Sequence, residues 1–353
     1  MFNALTQTQS AQASNFPFCT IEPNVARVIV PDSRLQKLAL IANSKKTIPL
    51  SLELHDIAGL IKGASKGEGL GNKFLGHVRQ ASVLVHVLRC FINPDILHVS
   101  ADDSGRSNPL EDLEVIETEL LLSDIDAIDR RLIQKRLLPD THIKILNELS
   151  SSMQQGVSAK DVLSGLKSSD PTLEVLLRDL NQQLLSAKPV LFLCNVDESS
   201  VKGNELTEMV KSAAMSRSTQ PPAIVCGTLE EEALTLFDLD VDRQEYLSSF
   251  GLSETGLDQV VRGCADLLGQ DVFYTVGEQE ARSWSIPKGT NARDAAGKIH
   301  TDMSKGFIAA EAIAYDDFIS CGGEAQSKKE GKSRSEGRDY IVQNGDIMHF
   351  KFN

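Results

Sequence analysis

The sequence predicts an α/β protein: a doubly wound sheet, interrupted by a helical insertion and followed by a small β-rich domain. Three observations carry that expectation. Short apolar runs of strand type alternate with helical stretches and Gly-rich turns between residues 24 and 269. Residues 109–187 are instead dominated by apolar positions at helical spacing, and after Gly269 short alternating runs return without long helices between them. Strands alternating with helices imply a doubly wound sheet.

The elements follow in order. FNALT (2–6) has helical spacing but no Ser, Thr, Asp or Asn ahead of it to cap its first turn. NVARVIV (24–30) reads as a strand ending at Pro31-Asp32, and IPLSLELHD (48–56) places Ile48, Leu50, Leu52 and Leu54 on one face at period two. VLVHVL (83–88) is nearly all apolar, the pattern of a strand buried on both faces. PLEDLEVIETELLLSDIDAIDRRLIQKRLL (109–138) is acidic early and basic late, the order a helix dipole favours. With TLEVLLRDLNQQLLSA (172–187) it reads as a helical arm inserted into the sheet domain, the alternative being helices packed flat on the sheet. VLFLC (190–194) and AIVC (223–226) are further buried strands, and GLDQVVRGCADLLG (256–269) is a helix. FYTV (273–276), ARSWSI (281–286), FIAAEAIAY (307–315) and DYIVQNGDIMHFKF (339–352) are short strands, with a hairpin signal at Asn344-Gly345 and with Met348, Phe350 and Phe352 turned to one face.

At 353 residues and 41% hydrophobic content the chain is long enough for two or three domains. Its formal charge of −13, from 36 basic and 49 acidic residues, argues against phosphate-backbone binding driven by net charge, though not against a local basic patch on RNA. The run KKEGKSRSEGR (328–338), with five basic and two acidic residues, is such a patch. The six cysteines are scattered, with no C-x-x-C pair and no zinc spacing, the usage of reduced thiols in a cytoplasmic protein. No apolar run approaches the ~18 residues of a membrane helix.

The strongest local signal is LELHDIAGLIKGASKGEGLGNKF (52–74), a half-buried strand ending at Asp56 and followed by five glycines. An Asp at the carboxyl end of such a strand points into the crevice where α/β sheets bind ligands. There it can hold magnesium through water, while the side-chain-free Gly59 lets its amide approach a terminal phosphate. Two further strand ends agree: Asn195 closes KPVLFLCNVDE, and Cys226-Gly227-Thr228 close PPAIVCGTLE. In nucleotide-binding sheets those two ends form the base pocket.

NFPFCTIEPN (15–24), DIAGLIKGASKGEGLGNKFLGHVR (56–79), RCF (89–91) and NVDE (195–198) resemble the YchF, or Obg-like ATPase, family of P-loop NTPases. The segment from Gly306 to Asn353 resembles that family's C-terminal TGS domain. The resemblance covers essentially the whole chain. It implies a Ras-like G domain of the OBG type at 1–108 and 188–269, an inserted helical arm at 109–187, and a β-grasp-like TGS domain at 270–353. It also implies a cytoplasmic, ribosome-binding hydrolase that uses ATP in preference to GTP, with Mg2+ as cofactor and ribosomal RNA as a candidate contact of the 328–338 run.

In that family FNALT follows directly on a first strand and a P-loop ending G-K-S-T, neither of which occurs in these 353 residues. The P-loop supplies the amide cradle, the phosphate-pairing Lys and a magnesium-binding hydroxyl. At ~1.5–3 kcal/mol per charge-assisted bond, losing four or five weakens binding by at least ~6 kcal/mol. The expectation is therefore a fragment or incomplete gene model of an ordinary member, in which tight nucleotide binding is lost and an organellar leader stays an open question. The alternative is a non-enzymatic ribosome- or protein-binding module.

Residue by residue, the resemblance makes Thr20 the switch hydroxyl that closes over magnesium, beside Asp56, and Gly59 the phosphate contact. Leu60 stands where many related GTPases place a water-orienting Gln, and the resemblance assigns that task to His98, whose neutral imidazole can orient or deprotonate water near neutral pH. In NVDE, Asn195 is kept, Val196 replaces the Lys of the guanine-reading N-K-x-D, and Glu198 is one methylene longer than its Asp. Those changes alter the geometry that rejects adenine. Cys226, Gly227 and Thr228 complete the base wall.

Overall fold

The computed structural model describes residues 2–6, 24–57, 70–93, 108–133, 138–166, 170–237, 240–252 and 254–353. It is a mixed α/β fold whose elements cluster into two compact units, residues 1–26 with 54–267 and residues 27–53 with 268–353.

The chain begins with α1 (Phe2–Thr6), β1 (Asn24–Ile29), α2 (Ser33–Ile41), β2 (Thr47–Ile48) and β3 (Ser51–Asp56), and continues through α3 (Leu70–Gln80) into β4 (Leu84–Arg89). The arm follows as α4 (Pro109–Ile133), α5 (Asp140–Gln154), α6 (Ala159–Gly165) and α7 (Pro171–Gln183). Then come β5 (Val190–Asn195), α8 (Glu205–Ala214), β6 (Ala223–Val225), α9 (Gly227–Leu236), α10 (Asp240–Ser249) and α11 (Gly256–Leu268). The C-terminal part comprises β7 (Gln270–Val276), β8 (Ala281–Pro287), α12 (Ala292–Ile299), α13 (Thr301–Lys305), β9 (Phe307–Ile313), α14 (Tyr315–Cys321), α15 (Glu324–Lys329), β10 (Arg334–Glu336) and β11 (Ile347–Phe352).

In the first unit β4, β5 and β6 run parallel in that order, with Leu88 beside Cys194 and Asn195 beside Val225. The apolar run of β5 is buried along Leu191–Cys194, as a central strand covered on both faces should be. β4 departs from expectation. Val87 is 47% exposed, because β4 pairs only with β5 among the described residues and one of its faces is only partly covered. The core of this sheet collects Leu88, Phe192, Val196, Leu206, Val210, Leu229 and Leu247. The arm helices close over a second core built on Ile128, Leu146, Leu149, Met153 and Leu180. Asp124 ties α4 to the short helix Leu185–Ala187 by accepting the Leu185 and Ser186 N–H groups, both at 2.8 Å.

In the second unit the sheet order is β10-β9-β11-β7-β8-β2. β7 and β8 form an antiparallel hairpin, β11 lies parallel to β7 and antiparallel to β9, and α12 covers Phe273, Ile286 and Phe350. Residues 27–53 join this unit: β2 extends the sheet beside β8, Thr47 opposite Ala281, and α2 packs Leu35 and Leu38 on Tyr274, Ile313 and Phe318. Asp32 caps α2 through the Arg34 N–H and also accepts the Tyr274 hydroxyl at 2.6 Å. The Asn344-Gly345 signal does not make a hairpin. Gly345 takes φ +97°, and its N–H and the Asn344 carboxamide bind the Val272 backbone, so the turn launches β11 beside β7. Residues 339–343 contribute only the Ile341–Asn291 bridge, since Tyr340 and Gln343 are drawn onto the buried Asp346 carboxylate. Met348 and Phe350 are buried as the alternation predicts, whereas the penultimate Phe352 is 47% exposed.

No helix among the described residues is long and apolar enough to cross a membrane.

Candidate functional site

The candidate site lies at the carboxyl ends of β5 and β6. Parallel pairing brings Asn195 beside Val225, and the Val196 N–H donates to the Val225 carbonyl at 3.0 Å, so the two strand tips are locked in register. One residue further, the Gly227 N–H points at Asn195 Oδ1, 3.5 Å away. Cys226 Sγ and Thr228 Oγ1 lie 3.2 Å apart as α9 begins. Asn195, Cys226, Gly227 and Thr228 are thus brought together by the sheet itself. The Thr228 side chain is exposed at this tip, while Cys226 is buried.

Val196 turns inward and joins the core beside Leu206 and Val210, the fate an apolar side chain demands where a Lys would stay at the surface. Asp197 leads into a short helix at Glu198–Ser200, and Glu198 is exposed. The loop then reverses at Gly203, φ +103°, and Asn204 caps α8 with a reciprocal box to Thr207. The Asn204 carboxamide also donates to the Cys90 carbonyl at 2.8 Å, tying the loop after β5 to the end of β4. A third clamp joins α9 to α11: buried Glu230 accepts the Gly256 N–H at 2.6 Å.

The electrostatics reflect this burial. Removal from water pushes the Glu230 carboxyl up, with the Gly256 N–H pulling the other way. The Cys90 thiol is pushed up by its hydrogen bond with Cys194, then by burial. In β4, burial beside Phe192 lowers His86 to about 4, so the imidazole is neutral at physiological pH.

Asp56 stands at the end of β3, half-buried, on a ladder with β1 that is separate from β4-β5-β6, and accepts the Asn24 carboxamide at 3.4 Å. Thr20, Gly59, Leu60 and His98 lie outside the described residues. No group of three or more His, Cys, Asp or Glu suited to a metal ion occurs among the described residues. A magnesium ion of the NTPase kind would keep several waters and need only one or two protein oxygens beside the phosphates, and Asp56, half-buried at its strand end, offers one such oxygen. Asn204 and Glu230 escaped the reading of the sequence. The N-x-x-T cap at 204–207 was visible in the text, but the Glu230–Gly256 contact spans 26 residues and left no local signal.

Comparison with known proteins agrees with this architecture. Residues 1–128 match the family described as "50S ribosome-binding GTPase", and residues 271–353 match YchF-GTPase_C, described as a protein of unknown function. The first match places residues 1–128, which carry β1 to β4, in a GTPase-type G domain, and β5 and β6 follow beyond it. "Ribosome-binding ATPase YchF" of Bacillus subtilis is 40% identical over 359 residues, covering 100% of this chain and 95% of that protein. The protein of the same name from Pasteurella multocida is 43% identical over 357 residues with the same coverage. The structure of the Schizosaccharomyces pombe YchF GTPase superimposes with a TM-score of 0.80 at 30% identity, covering 99% of this chain and 93% of that one. The chain belongs to the YchF family.

Proposed function

We propose that this chain is of the magnesium-dependent purine-nucleotide ATPase type, favouring ATP over GTP and associating with the ribosome in the cytoplasm, with nucleotide affinity weakened because no P-loop occurs within these 353 residues. The observation that carries the reading is the juxtaposition of Asn195 Oδ1 with the Gly227 N–H at adjacent parallel strand tips. A carboxamide offers a donor and an acceptor to a purine edge, and the Gly227 and Thr228 amides can line its other side. Guanine readers cover this pocket with a Lys and grip the ring N–H and exocyclic amine with an Asp. Here Val196 is withdrawn into the core and Glu198 presents its carboxylate one methylene further out. Both differences weaken a guanine-specific grip and leave adenine tolerated.

At the phosphate end the proposed roles are Asp56 and Thr20 for magnesium, Gly59 for the terminal phosphate, and His98 for the attacking water. Magnesium, when bound, neutralises the charge of the phosphates. The chain's own contribution is to orient: Asp56 is steadied by Asn24, and His98 holds or accepts a proton of water.

Of the basic residues at 328–338, Lys328 is paired with Glu311 and Glu324, Lys332 with Asp317, and Arg334 with Asp346. A ribosomal RNA contact of the TGS-like domain would then fall first to Lys329 and Arg338. The test is a competition titration of ATP against GTP with magnesium on the full chain, paired with co-sedimentation on ribosomes. ATP outcompeting GTP, with the protein in the ribosomal pellet, supports the reading. Pelleting without binding of either nucleotide would instead make the chain a non-enzymatic ribosome-binding module.

A further inference from the structure

We propose that Glu230 is a positioning residue for base selection, fixing the Cys226-Gly227-Thr228 wall from behind; this rests on the nucleotide reading above. Glu230 lies in the first turn of α9, its N–H donating to the Cys226 carbonyl at 3.2 Å. Its side chain reaches across to the first residue of α11, where Oε1 accepts the Gly256 N–H at 2.6 Å. The buried carboxylate therefore sits at the amino ends of two helices, where the positive ends of both dipoles favour an anion.

The partner residue is a glycine because nothing larger fits. A Cβ on Gly256 would come 2.4 and 2.9 Å from the two γ-carbons of Val225, and 3.1 Å from Glu230 Oε1. Val225 is the last residue of β6, next to Cys226, and its carbonyl holds the Val196 N–H that follows Asn195. Pulling α11 down onto Val225 therefore fixes both halves of the base pocket, the tip of β6 directly and the tip of β5 through that one hydrogen bond. Glu230 itself touches no nucleotide in this account. Without its charge, two helix amino ends face each other unscreened, and the relief is a shift of α11 away from Val225.

The test compares the 353-residue wild type with Glu230→Ala, Glu230→Gln and Gly256→Ala. Magnesium-loaded ATP, GTP and inorganic tripolyphosphate are titrated in turn, with urea midpoints recorded alongside. The alanine variants are expected to cut the ATP-to-GTP preference at least ~5-fold while changing tripolyphosphate affinity less than ~2-fold. Glu230→Gln, which keeps an acceptor oxygen and loses the charge, falls between them and the wild type. It carries the test if Glu230→Ala does not fold. A lowered urea midpoint with an unchanged nucleotide ratio overturns the inference, as does tripolyphosphate affinity falling in step with ATP. A wild type that binds neither nucleotide overturns the nucleotide reading together with this inference, whereas a wild type that discriminates no better than Glu230→Ala overturns this inference alone.

Discussion

Replacing Asp124 by Ala should detach the arm from its base. The Asp124 carboxylate is fully buried and accepts three hydrogen bonds, from the Leu185 N–H at 2.8 Å, the Ser186 N–H at 2.8 Å and the Ser186 hydroxyl at 2.7 Å. Alanine leaves two backbone donors without that acceptor, at ~1–3 kcal/mol each. The carboxylate's own desolvation, which pushes its pKa up, offsets part of the loss, so the net destabilisation is ~3 kcal/mol. That is a large fraction of the ~5–15 kcal/mol that keeps a domain folded. Asp124→Asn keeps one acceptor oxygen and should lose about half as much. Ser186→Ala should be non-additive with Asp124→Ala, because the Ser186 hydroxyl donates to the Asp124 carboxylate, while the bond it accepts from the Ala159 N–H at 3.1 Å is lost in either background. Urea unfolding followed by far-UV circular dichroism measures all three. An Asp124→Ala protein within ~0.5 kcal/mol of wild type would refute the anchoring argument, since that is the range of neutral surface changes.

Three further outcomes follow from the same reasoning. His86 is held neutral by burial, its pKa lowered to about 4, while in the unfolded chain it titrates near 6.5; stability is therefore full above pH 6.5 and is lost as pH falls toward 4. By pH 5 the loss amounts to ~2 kcal/mol, and urea midpoints of His86→Leu at pH 7.5 and 5 should lack it. Glu311 has its pKa depressed to about 2 by hydrogen bonds from Lys328 and Lys351, so its contribution is present above the unfolded value near 4.3 and fades as pH falls toward 2. Acid titration of Glu311→Gln should accordingly converge with wild type over that window, and a constant offset would be inconsistent with the ion pairs. Cys90, Cys194, Cys226 and Cys264 are buried, so among the described cysteines a native-state thiol reagent should label Cys321 alone; rapid labelling of Cys194 or Cys226, mapped by mass spectrometry, would mean the strand tips open readily.

Much of the sheet was legible in the sequence because its signals are local. The apolar run 190–194 has no solvent face, and it folds as the central strand β5; AIVC closes β6 at a small residue and a glycine, and the two tips meet as that pattern suggests. The acidic start and basic end of α4 likewise announced a long helix. What escaped depends on contacts between distant residues. β2 is two residues long, and nothing in Thr47-Ile48 betrays its pairing with Ala281-Arg282, more than two hundred positions away. The amphipathic spacing of α2 shows that Leu35 and Leu38 are buried but not that Tyr274 and Phe318 bury them. The Asn344-Gly345 turn was read correctly as a turn and wrongly as a hairpin, because the Asp346 carboxylate and the Val272 backbone claim the residues that a hairpin would pair.

The measurement that tests the central claim most directly is the response of backbone and carboxamide NMR signals to magnesium-loaded ATP. If β5 and β6 form the base end of a nucleotide site, the Gly227 and Thr228 amides and the Asn195 side chain shift on titration, more with ATP than with GTP, while signals of β9 and β11 stay put. Shifts confined to other elements, with those three groups unmoved at saturating nucleotide, would contradict it.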